Sequence, residues 1–223
     1  MKRTLPLWMS KSGKNQICSA LPNLTLPNTC KLIYSHDVND CSILCDELQS
    51  TLAPSSVIGF DIEWPVSYIK GKRDITATIQ ICPNKKQCFV FQVSKMGMIP
   101  SPLKKLIEST EIKKTGVNVI GDMWKLHRDF NIFPDHSLMS QSYIELSHFA
   151  SSTINSSQGW SLQRLCQYFL KSDLSKEKNI RSGDWATFPL SEDQLYYAAL
   201  DAYASLLVYE SILSWKPASA QFF

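Results

Sequence analysis

A chain of 223 residues, 44% apolar and 19% charged, is long enough to bury a core, as one large domain or as a domain with an arm. Its net charge of +3 is too small to imply nucleic acid by itself, and its seven cysteines include no C-x-x-C pair, which argues against a zinc site or disulfide framework and for a reducing compartment. No apolar run approaches a membrane span, and the opening M-K-R-T is not followed by the apolar stretch of a signal peptide, so a cytosolic or nuclear protein is expected.

Residues 1–30 are rich in Ser, Asn, Lys and Pro without sustained periodicity and are expected to form a poorly ordered arm. Residues 31–35 read as a first short strand, and 41–52 as a helix with Ile43, Leu44, Leu48 and Leu52 on one side. Three strands are predicted next, over 57–64, 77–82 and 88–93, with turns at 70–74 and 83–86 between them. A short helix at 103–108, a strand at 113–119 and a helix at 122–130 follow. A polar loop over 151–159 precedes helices at 161–170 and 191–213. Three strands in succession, then alternating helices and strands, predict an α/β domain with a mixed sheet.

The lysines and arginines come in clusters: Lys70 with Lys72 and Arg73, then Lys85–Lys86, Lys104–Lys105 and Lys113–Lys114. Any one such cluster is usually solvated surface, whereas together they could rim a phosphate-binding face.

Within the apolar run I-G-F-D-I-E-W-P, Asp61 and Glu63 sit at i and i+2 of a strand and so point to one face. Two carboxylates held close repel unless a cation lies between them, and hard oxygen ligands suit Mg²⁺ or Mn²⁺. A lone D-x-E is more often a strand end whose acids face water, so further carboxylates are needed. Asp122 in N-V-I-G-D is one candidate, with a helix N-cap as its plain alternative. In Y-A-A-L-D the i, i+4 spacing puts Tyr197 and Asp201 on one helical face beside apolar residues, with an arginine partner or a loop cap for Asp201 as the alternative.

In order, Asp61, Glu63, Asp122, Tyr197 and Asp201 resemble the three motifs of the DEDDy 3′–5′ exonucleases. The strings F-D-I-E-W-P, G-D-M-W-K-L-H-R-D-F, N-I-R-S-G-D-W and Y-A-A-L-D-A-Y-A are similar to the Werner-type exonuclease domains within that family, and L-P-L-W-M is a weaker match in the arm. The resemblance implies an RNase H-like fold with three antiparallel strands, then parallel strands, flanked by helices. It implies an exonuclease domain over 31–215 and a tail over 216–223. Two Mg²⁺ or Mn²⁺ ions about 4 Å apart would clamp the scissile phosphate. Asp61 would bridge both, Glu63 and Asp201 would complete the first ion's site, Asp122 would support the second, and Tyr197 would orient the attacking water. A phenol that ordinarily titrates near pH 10 is a poor base at neutral pH, so orientation is the role assigned to Tyr197. A histidine subclass of these nucleases carries His at the position occupied here by Tyr196, which places this chain with the tyrosine group. His127 reads as a partly buried structural residue.

For substrate, Lys178 and Arg181 could hold phosphates, with a solvated linker as the alternative; Trp64, Met123 and Trp124 could stack on terminal bases, with core packing as the alternative. The expected activity is release of 5′-nucleotides from DNA 3′ ends, preferably recessed ends of duplexes, in the nucleus during repair or replication. An RNase D-like exoribonuclease is the second reading, because nothing in four carboxylates reads a 2′-OH. A catalytically dead binding module is the third. Two departures stand out. No helicase follows the exonuclease segment, leaving open a stand-alone enzyme, with helicase or repair partners in trans, or an excised domain. And S-H-F at 147–149 lacks an acid that relatives often carry there.

Overall fold

The computed structural model describes residues 21–66, 74–133, 135–174 and 178–216. Strand β1 (Lys31–Ser35) leads into α1 (Val38–Thr51), which Asp37 caps by accepting from the Asn39 and Asp40 amides. Strands β2 (Val57–Glu63), β3 (Thr78–Asn84) and β4 (Gln87–Phe91) follow, then α2 (Val93–Met96), α3 (Ser101–Glu108), β5 (Lys113–Gly116) and α4 (Val119–Phe130). The rest comprises α5 (His136–Met139), β6 (Tyr143–Glu145), α6 (Leu146–Ile154), α7 (Leu162–Leu165) running into a π-helical turn (Cys166–Leu170), α8 (Lys178–Arg181) and α9 (Glu192–Leu213). Among the described residues no helix is long and apolar enough to cross a membrane.

The six strands lie in the order β1-β4-β3-β2-β5-β6. Strands β2, β3 and β4 pair antiparallel; β1 joins β4, β5 joins β2 and β6 joins β5 in parallel. This is the mixed sheet expected from the sequence. Its faces are covered separately. Ile58, Phe60 and Ile62 of β2 join Ile79, Ile81, Phe89 and Phe91 in a core closed by α1, α3 and α4. The other face carries Cys82, Cys88 and Val90 beneath α6, α7 and α9.

Strand alternation therefore puts Gly59, Asp61 and Glu63 on the α9 face. A Cβ built on Gly59 would lie 2.0 Å from the Ala202 carbonyl oxygen and 3.1 Å from Leu206 Cβ, so only glycine lets α9 rest this closely on β2. Gly59→Ala is expected to push the helix off the strand and cost at least about 1–3 kcal/mol, readable by urea unfolding. The helix itself is started by a capping box in which Ser191 and Gln194 exchange side-chain to backbone hydrogen bonds.

Several expected boundaries move. The strand predicted over 113–119 stops at Gly116, and α4 begins at Val119, because Asn118 takes up a left-handed conformation (φ 64°) that turns the chain. The loop expected over 151–159 starts only after Ile154, since α6 runs to that residue. Strand β6 was not anticipated. Pro83 and Asn84 belong to β3 rather than to a turn, while the turn expected at 70–74 lies outside the described residues except for Asp74. Residues 1–20 of the expected arm and 217–223 of the expected tail also lie outside them. Residues 21–30 run along the body: Leu24 N donates to the Asp173 carbonyl at 2.7 Å, and Leu26 N to the Tyr196 hydroxyl at 3.2 Å.

One of the clustered lysines is not on the surface at all. Lys114 is wholly buried, its Nζ donating to the Leu106, Ser109 and Ile112 carbonyls at the end of α3. Lys104 pairs with Glu108, and Lys85 with Glu210. Lys70, Lys72 and Arg73 lie outside the described residues.

Candidate active site

The close approach at Gly59 brings α9 side chains down onto the end of β2. Single carboxylate oxygens of Asp61, Glu63 and Asp201 lie within 4.8 Å of one another. They line a cleft of about 350 Å³ together with Trp64, Asn118, Asp122, Arg181 and Tyr197. The sequence had separated these acids by up to 140 positions, and the fold gathers all four in one place.

Asp122 arrives by a different route. It lies in the first turn of α4, not at its cap, and is buried. The amide ends of that helix turn favour a negative charge there. Burial and the neighbouring Glu145 nonetheless push its carboxyl up to about 8, with Lys125 opposing them. Glu145, at the end of β6, accepts from the Asn118 amide at 2.9 Å and caps α6 through Ser147. Sequence reasoning missed this acid, two residues before the S-H-F stretch; its only signal was an acid just ahead of an apolar helical run.

Desolvation dominates the electrostatics of the other two strand acids. Asp61 and Glu63 keep part of their surface open to the cleft, yet enough protein surrounds them to disfavour charge. Burial, then Glu63, Asp122 and Asp201, raises the Asp61 carboxyl well above its usual range, with the Ile62 amide pulling the other way. Burial and Asp201 push Glu63 up to about 8 against the pull of the Arg181 guanidinium. The Tyr197 phenol is raised by burial and by Asp201, with which it hydrogen-bonds, and it is therefore protonated at neutral pH. Its ring is buried and packs against Trp185, centroids 6.1 Å apart. A set of hard oxygen donors this close, with Asp61 and Glu63 raised first by burial and then by their acidic neighbours, is what a divalent cation compensates. The donor set fits Mg²⁺ or Mn²⁺, and among the described residues lining the cleft there is no histidine, cysteine or methionine that would favour a softer ion.

The expected base-stacking residues part company. Met123 is fully buried in the core beneath the sheet, so it is not available to a base; the apolar stripe of α4 claims it. Trp124, about 100° further round that helix, is exposed and does not line the cleft. Trp64 does line it, with Lys125 Nζ 4.7 Å from its ring centroid. Lys125 also donates to the Asp74 carbonyl at 2.6 Å and pairs with Asp129 at 3.0 Å, while Asp129 accepts from the Thr76 amide and hydroxyl, both at 2.8 Å. Lys125→Met is expected to leave the Asp129 charge buried with one partner fewer, a loss of about 3–5 kcal/mol in denaturant titration, partly restored by Asp129→Leu in the same chain. Arg181 reaches the cleft from α8. Lys178 belongs to the same helix.

The model of the DNA polymerase A-type 3′–5′ exonuclease domain matches residues 37–214. The chain belongs to the 3′–5′ exonuclease family. This exonuclease is similar to the mouse bifunctional 3′-5′ exonuclease/ATP-dependent helicase WRN, at 38% identity over 95% of the chain but 15% of that protein. A Drosophila grimshawi 3′-5′ exonuclease is 35% identical over 70% of the chain and 46% of its own length. The chain thus spans less than half of either relative. Escherichia coli RNase D shares the fold, with a TM-score of 0.64 at 19% identity over 82% of the chain and 44% of that structure. The fold of the exonuclease is RNase H-like, as the resemblance implied.

Proposed function

We propose that this protein is a metal-dependent 3′–5′ exonuclease that releases 5′-nucleotides from DNA, preferably at recessed 3′ ends of duplexes. The observation that carries this is the convergence of Asp61, Glu63 and Asp201 within 4.8 Å, in a cleft that Asp122 and Tyr197 also line. Asp61, Glu63 and Asp201 would hold one ion, and Asp61 with Asp122 a second. Bound there, the ions would lower the pKa of water and offset charge on the scissile phosphate. Tyr197 keeps its proton and donates a hydrogen bond, to Asp201 at rest and to the water or phosphate in the complex; it orients rather than deprotonates. Arg181 offers a positive charge beside Glu63, suited to a phosphate oxygen, and Lys178 would add a second. Trp64 presents a flat apolar face for a terminal base.

DNA is favoured by the Werner-type strings around Asp61, Asp122 and Tyr197 and the 38% identity to the mouse exonuclease–helicase that goes with them. A nuclear location and a role in repair or replication, with a helicase or repair partner in trans, go with that reading. An exoribonuclease is the second reading, supported by the shared fold with a protein described as an exoribonuclease. The test uses a 5′-labelled recessed DNA duplex and an RNA strand of the same sequence, in Mg²⁺, Mn²⁺ and EDTA. A ladder shortening from the 3′ end of DNA, absent in EDTA, is expected. A ladder on RNA alone would transfer the same site to the ribonuclease reading, and binding with no ladder would leave an inactive module.

A further inference from the structure

His127 and His136 lie outside the cleft and take no part in the proposed hydrolysis. His127 is in the last turn of α4 and His136 opens α5. Their Nε2 atoms are 3.2 Å apart, and the rings meet edge to face, centroids 4.5 Å apart and planes at 89°. His127 Nδ1 lies 2.6 Å from the Ile132 carbonyl oxygen. A carbonyl only accepts, so Nδ1 carries the proton, and Nε2 of the neutral ring turns its lone pair towards His136. An imidazole that ligates a metal is held in the same way: a backbone oxygen fixes one N–H, which sets the tautomer and aims the other nitrogen.

The spacing agrees with that reading. Two nitrogens bound to one tetrahedral zinc at roughly 2.0–2.1 Å stand about 3.3 Å apart. Trp124 sets its ring edge to face against both histidines, centroids at 5.8 Å from His127 and 4.8 Å from His136, and walls one side of the pair. In the metal-free protein one hydrogen bond between the rings satisfies the same geometry. His136 is exposed, so it can change tautomer when an ion takes the place of the shared proton.

We infer that His127 and His136 form a second metal site, taking one borderline transition ion such as Zn²⁺, Cu²⁺ or Ni²⁺, with water completing its coordination. It differs from the cleft in kind: paired imidazoles select late transition ions, whereas the carboxylate cluster suits Mg²⁺ or Mn²⁺. A bound ion would tie α5 to the C-terminal end of α4, the helix whose first turn carries Asp122.

The inference is tested by titrating Cu²⁺ into the intact chain and into His136→Ala, His127→Gln and Trp124→Phe variants. The expected result is a Cu²⁺ equivalent whose pulsed EPR spectrum carries modulation from two imidazoles, since no histidine lines the cleft. That signal is lost in both histidine variants, with affinity at least about tenfold weaker, and Zn²⁺ displaces the copper. Part of the tryptophan fluorescence is quenched on binding, and Trp124→Phe removes that part while keeping the nitrogen signal. Because His136 is exposed, its replacement leaves the fold in place, as the circular dichroism spectrum will show. Copper held without nitrogen modulation, or modulation that persists in both histidine variants and so belongs to His36 or His148, would overturn it.

Discussion

Replacing Asp61 with alanine is expected to lower the rate of nucleotide release by at least about 10³-fold, more than the ~10²–10³ that a single oxyanion-stabilising donor contributes elsewhere. Asp61 is the hub of the cluster: Glu63, Asp122 and Asp201 all act on its carboxyl. Removing it leaves neither proposed ion position with its shared ligand. Tyr197→Phe is expected to be milder, about 10–100-fold, because the ring keeps its packing on Trp185 and only the oriented hydroxyl is lost. Asp61→Asn separates chemistry from folding, since the amide keeps the shape but neither the charge nor the full donor set. Single-turnover assays on the DNA duplex, with binding measured in Ca²⁺, check both substitutions. Retention of more than about a tenth of the rate by Asp61→Ala would remove it from the catalytic centre.

The carboxylate cluster was legible in the sequence for a physical reason. Carboxylates at i and i+2 in an apolar strand, and a mid-helix Asp on an apolar face, are expensive places for charge, and that expense is visible without coordinates. What could not be read was the distance between those segments, which Gly59 fixes by letting the Ala202 backbone touch β2. A glycine in a strand gives no hint of which helix will lie on it. Strand β6 escaped because three residues, Tyr143, Ile144 and Glu145, are too few to show alternation, and Glu145 went with it. Met123 and Trp124 illustrate the opposite difficulty. Adjacent residues of one helix point about 100° apart, so one is fully buried and its neighbour exposed, although the string D-M-W offers both equally. Lys114 looked like half of a surface pair, but its amine closes the end of α3 instead.

The second large effect is on stability, and its sign follows from the acids. In the metal-free fold Glu63 and Asp122 titrate near 8, and Asp61 is raised as well, whereas unfolded carboxyls titrate near 4. A carboxyl whose folded pKa is raised stabilises the fold fully below its unfolded value and loses that contribution as pH rises through its folded one. In EDTA the melting temperature is therefore expected to fall between about pH 4 and pH 8. Each proton the fold retains and the unfolded chain releases costs about 1.4 kcal/mol per pH unit, an upper figure for Glu63, whose carboxyl is part-open to water. At roughly 2–4 °C per kcal/mol, the drop amounts to several degrees or more. Lys114 works in the opposite sense above neutrality, because burial and Lys113 lower its amine to about 7. It is common to wild type and variant, so the difference between them isolates the acids. Asp61→Asn is expected to melt higher than wild type at pH 8 in EDTA and nearly the same at pH 4.5. Saturating Mg²⁺ or Mn²⁺ takes over from the protons, raises the wild-type melting temperature most at pH 8, and has much less effect on the variant. Should wild type instead gain stability with rising pH in EDTA, with no response to either ion, the carboxylates would be ionised and held by protein partners such as Arg181, and the cluster would be structural rather than catalytic.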